Sequence, residues 1–132
     1  MTEFSSNESK FLKNNEAARI ATSQKDIPHV KPVSFVFYNN NIWIATDYET
    51  HTFKNIKSNP NTSITIDIYK SGHHKAVCAQ GRAKIIENGS EFKEIYNIFY
   101  EKFDWVKRDP WKENEAPFLK FVLKNKTSWG LD

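Results

Sequence analysis

The stretch His29-Val30-Lys31-Pro32-Val33-Ser34-Phe35-Val36-Phe37-Tyr38, Asn39-Asn40-Asn41, Ile42-Trp43-Ile44-Ala45-Thr46 decides the fold. Val33, Phe35 and Phe37 alternate with Ser34, Val36 and Tyr38, which is the period of a strand with two fairly apolar faces. The three asparagines tolerate positive φ and hydrogen-bond their own backbone, as a hairpin turn requires. After a polar break, Asp47 to His51, Thr52 to Pro60 reads as a short helix stopped at Asn59-Pro60. Thr62 to Tyr69 follows as a strand with Ile64, Ile66 and Ile68 on one face. A helix therefore begins directly after a strand end. Free backbone N–H groups and the positive end of the helix dipole make such a point suited to an anion.

Working outward, Ser5 or Ser6 caps a helix carrying Phe11 and Leu12, which Asn14-Asn15 ends. Ala17 to Thr22 is a first strand, and Lys25-Asp26-Ile27-Pro28 turns the chain into the central unit. Lys70-Ser71-Gly72-His73-His74 shows no period and reads as a loop. Lys75 to Ile86 is a long strand with Val77, Ala79, Gly81, Ala83 and Ile85 on one face. Gly81 inside it marks a bulge or a close approach. Phe92, Ile95, Tyr96, Phe99 and Phe103 keep helical spacing after Asn88-Gly89-Ser90, and this stripe is read as packing. Asp104 to Pro117 reads as a charged linker carrying Trp105 and Trp111, and Phe118 to Leu123 as a last strand. Six strands with flanking helices indicate a mainly β protein, a small barrel.

The chain of 132 residues is expected to form one domain, residues 1–132. One cysteine, Cys78, excludes an internal disulfide, and no run has membrane length, so a cytoplasmic location is expected. The net charge of +3 comes from lysines interleaved with acids, which speaks for a solvated surface and against a nucleic-acid or membrane partner. His73 and His74 lie near Cys78, but no zinc spacing is present. No nucleophile–base pair and no carboxylate pair set for acid–base work is visible.

The ordered series Arg19-Ile20-Ala21-Thr22, Pro28 to Val33, Ile44-Ala45-Thr46, Phe53-Lys54-Asn55-Ile56 with Asn59-Pro60, and Gln80-Gly81-Arg82-Ala83 resembles the pyridoxamine 5′-phosphate oxidase-like family. The likeness runs from about Phe11 to Trp129. It implies a six-stranded split β-barrel that forms a homodimer, with FMN between protomers. The deazaflavin F420 is the alternative cofactor, and haem is disfavoured. It further implies that Lys31, Pro32, Val33 and Ser34 lie beside the flavin ring. The segment Thr50, His51, Thr52 and Lys54 would hold the phosphate, and Thr46 would also bind the cofactor. Trp129 would either cover the cofactor from the partner subunit or plug the barrel end. Relatives carry Ser-Arg-Lys or Ser-Lys-Lys where this chain has Thr50-His51-Thr52, so two fixed cations are replaced by an imidazole and a hydroxyl. The expected function is an FMN-dependent oxidoreductase acting on an unidentified small molecule. The alternatives are an F420-dependent reductase of the same fold and a non-enzymatic flavin or haem carrier or sensor.

Overall fold

A computed structural model describes residues 3–132. Six antiparallel strands close into a barrel in the order β1-β2-β3-β6-β5-β4. They are β1 (Ala17–Gln24), β2 (Ile27–Tyr38), β3 (Asn41–Ala45), β4 (Asn61–Lys70), β5 (His73–Ile86) and β6 (Phe118–Trp129). Helix α1 (Ser6–Lys13) precedes β1, α2 (His51–Ser58) joins β3 to β4, and α3 (Gly89–Lys102) with α4 (Asp104–Arg108) joins β5 to β6. Closure rests on three residue pairs between β1 and β4, Arg19 with Thr65, Ile20 with Ile64 and Ala21 with Ser63.

The alternation along β2 separates two cores. Phe35 points into the barrel with Ile42, Ile44, Ile64, Val77, Leu119 and Phe121. Val36 points outward with Trp43 and Phe118, where α3 and α4 supply Phe92, Ile95, Phe99 and Val106. Both clusters are buried, which is why this strand reads as apolar on both faces. The α3 stripe is packing, as its spacing indicates, with Phe103 as the residue that caps the helix C-terminus.

The turns are tighter than the sequence suggests. Lys25 and Asp26 alone make the first, at φ 54 and 62, so Ile27 and Pro28 belong to β2. Asn39 and Asn40 make the second, at φ 53 and 59, and Asn41 opens β3. The expected loop at 70–74 is a hairpin, because Gly72 at φ 82 supplies the reversal and lets Lys70 pair with His73. His73 and His74 therefore sit on β5, with His74 stacked on Tyr69 at 4.0 Å. Ile68, expected inside, is 37% exposed, because β4 has run past its pairing with β1.

The Asp104–Pro117 linker holds a helical turn, fixed by buried Val106. The last strand continues past Leu123 to Trp129, since β5 is long enough to pair with it as far as Ala76. Gly81 is a close approach, as expected. The β5–β6 register shifts between Gln80 and Gly81, and a Cβ there would meet the Val122 carbonyl oxygen at 2.1 Å.

Candidate functional site

The β2–β3 ladder stops at Phe35 opposite Ile44. Beyond that pair the chain leaves β3 through Thr46 and enters α2 at Thr50. Thr46 is buried, and its backbone N–H donates to the Pro117 carbonyl at 3.3 Å. Tyr48 braces the connecting loop: its hydroxyl donates to Glu87 at 2.8 Å and its ring meets Phe53 edge-on. Partial burial and the Glu87 carboxylate push the Tyr48 phenol up to about 12, so it stays a donor throughout the physiological range.

Thr50 is the N-cap of α2. Its hydroxyl accepts from the Phe53 N–H at 3.1 Å, donates to the Asp47 carbonyl at 2.9 Å and lies 2.9 Å from the Thr46 hydroxyl. That hydroxyl is committed to the loop. With the Lys54 N–H bonded to the Thr50 carbonyl, the backbone N–H groups of His51 and Thr52 are left over in the first turn. His51 and Lys54 project from the same turn and are exposed. Thr52 is fully buried, and its hydroxyl has no partner among the described residues.

Two residues beyond the expected set complete the region. The His29 ring lies beside the His51 ring, centroids 5.6 Å apart and planes tilted by 36°, and its buried Nδ1 has no partner among the described residues. Asn55, on the inner side of α2, donates to the Thr22 hydroxyl of β1 at 3.1 Å and fixes the helix against the barrel. His29, His51 and Asn55 line a cleft of about 370 Å³ together with the β1–β2 turn. His29 lies near the start of β2, but only the pairing of Thr22 with His29 brings it under α2.

The ring-side candidates divide between the two faces of β2. Lys31 and Val33 share the barrel side with their partners Ile20 and Ala18, whereas Pro32 and Ser34 face outward. Trp129 is not near Thr46 within the chain. Ala45 pairs with Phe118 at the start of β6, and Trp129 pairs with Ala76 at its far end, 44% exposed. It does not plug the barrel; Leu131, Phe4 and Phe11 pack against the interior cluster. Among the described residues no group of His, Cys, Asp or Glu is placed to hold a metal ion.

The class of protein is a closed six-stranded antiparallel barrel with flanking helices. Residues 6–129 match the family model described as pyridoxamine 5′-phosphate oxidase, and the chain belongs to that family. General stress protein 26 of Bacillus subtilis (strain 168) is 33% identical over 101 residues, covering 75% of this chain and 71% of that protein. Among solved structures, an FAD binding protein from Mycobacterium smegmatis superposes with a TM-score of 0.70 at 18% identity, covering 98% of this chain and 97% of that one. HutZ, the heme storage protein of Vibrio cholerae, superposes with a TM-score of 0.79 at 14% identity over 98% and 95%. These two likenesses are of fold. Among the described residues no helix is long and apolar enough to cross a membrane.

Proposed function

We propose that the protein binds FMN between two copies of itself and acts as an oxidoreductase on a small molecule, with no nucleic-acid or membrane partner and a cytoplasmic location. The observation that carries this reading is the α2 start, where the His51 and Thr52 N–H groups are unspent and His51 and Lys54 stand beside them. Family membership and the FAD-binding relative of the same fold support a flavin.

The residues fit a phosphate through backbone donors and one fixed cation, Lys54, with His51 in place of the usual basic pair. Thr50 acts indirectly, by fixing the turn that aims those donors. Thr52 is too deeply buried to reach an outside ligand as the helix stands. The outer face of β2, Pro32 and Ser34, would seat a ring system, while Lys31 lies on the opposite, barrel-side face of the strand. A bound flavin would carry the electron transfer, while the chain would supply placement and charge. F420, which also bears phosphate, is compatible with the same donors.

A second reading, a haem carrier without turnover, is favoured by the adjacent pair His29 and His51 and by the heme storage relative. The visible absorbance spectrum of the purified protein separates the readings. A flavin spectrum that bleaches with NAD(P)H and recovers with an acceptor supports the oxidoreductase, and a haem spectrum supports the carrier. A colourless protein that takes up neither group overturns both.

A further inference from the structure

Between the end of β3 and the segment joining α4 to β6 lies a pocket of about 230 Å³ that the cofactor reading does not use. Trp105 and Trp111 line one wall, their rings within 7° of parallel and their centroids 5.9 Å apart. Trp111 is held from behind by Tyr96, edge-on at 5.0 Å, and by Phe118 at 5.7 Å, so the wall is set in advance. Ala45 and Ala116 keep the opposite side shallow, and Asp47, Asp109 and Glu115 complete the lining, with no Lys, Arg or His. Among the described residues none of these three carboxylates belongs to an ion pair. Glu115 is steadied by the Lys112 N–H at 2.6 Å. The Trp111 Nε1–H is buried and has no acceptor among the described residues.

We propose that this pocket binds a small organic cation of the alkylammonium class. Indole faces attract a cation whose charge is spread over methyl or methylene groups, and carboxylates outside any ion pair among the described residues add to that attraction. The same carboxylates do not converge closely enough to hold a bare metal ion, so the charge they balance is a diffuse one. A flavin phosphate would be repelled by the acids, which separates this pocket from the α2 start even though Thr46 borders both.

Choline is the probe, and 3,3-dimethylbutan-1-ol, of the same shape without the charge, is its control. Calorimetric titration of the full chain should show saturable choline binding, with the neutral alcohol weaker by about tenfold or more. Asp109→Asn and Glu115→Gln, both at exposed positions, should each weaken choline several-fold and leave the alcohol unchanged. Trp105→Leu should weaken both. Equal binding of choline and the alcohol overturns the proposal, as does choline binding unmoved by both rim variants. The absence of saturation below roughly 10 mM also overturns it.

Discussion

Glu8 is a carboxylate at 5% exposure that accepts from the Ser5 N–H at 2.8 Å, from Lys126 and from the Ser128 hydroxyl. Burial opposes its ionisation, but these donors outweigh burial and hold its pKa at about 2, down from 4.5. A depressed folded-state value gives stability that is complete above the unfolded value and is lost as pH falls from about 4.5 towards 2. The shift corresponds to roughly 3 kcal/mol at neutral pH. Denaturant midpoints at pH 7, 4 and 3 should fall steeply for the native chain, and Glu8→Gln should start lower and flatten that fall. At the α2 start, Lys54→Met keeps much of the stem and removes the charge. FMN should then bind roughly 10- to 100-fold more weakly, while riboflavin, without the phosphate, should change little. Equal losses for both ligands would move the phosphate elsewhere. The position of His51 and Lys54 in the first turn of a helix was legible because that helix follows a strand end. The commitment of the Thr50 hydroxyl to Asp47 and Thr46 was not, since the 47–50 loop geometry decides it. His29 was also hidden, because its nearness to His51 depends on strand register.

At the scale of elements, α3 lies against the outer face of the barrel and meets Phe118 through Phe92 at 5.0 Å and Phe99 at 4.9 Å. Phe99 is fully buried. Phe99→Ala should cost about 3–5 kcal/mol of stability by chemical denaturation, with FMN affinity of the folded fraction unchanged. A variant of normal stability that had lost the cofactor would make α3 part of the site. Lys102, on the last turn of α3, donates to the carbonyls of Asn15 at 2.6 Å and Phe35 at 3.2 Å and so ties the helix to the α1–β1 junction. Burial lowers its pKa. The elements themselves were legible wherever periodicity was strong, as in β2, β4 and α3. Their ends were not. Ser71-Gly72 closes a hairpin only because β4 and β5 continue to pair, and residues 124–129 become strand because β5 offers them a partner. α4 is too short to show a period, and buried Val106 is its tertiary support.

For the whole molecule, the outside of the barrel carries apolar residues that a lone protomer leaves in water: Val30 at 67%, Tyr69 at 70% and Val122 at 46% exposed. A second copy of the chain would cover such surface, and equilibrium sedimentation at micromolar concentration should find a dimer. The position of Trp129 gives this a sharper form. Along β6 it stands roughly 36 Å of strand from Phe118, the residue beside the protomer's own Ala45. If Trp129 covers the cofactor held at Lys54, it must be the partner's Trp129 that does so. Lys54→Met and Trp129→Ala should therefore each weaken FMN binding as homodimers. In a mixed dimer with one subunit of each kind, a shared site leaves one position with both residues intact and the other with both altered. The mixed dimer should bind one FMN per dimer at native affinity. If both residues came from the same subunit, each site would carry one defect, and no binding at native affinity would appear.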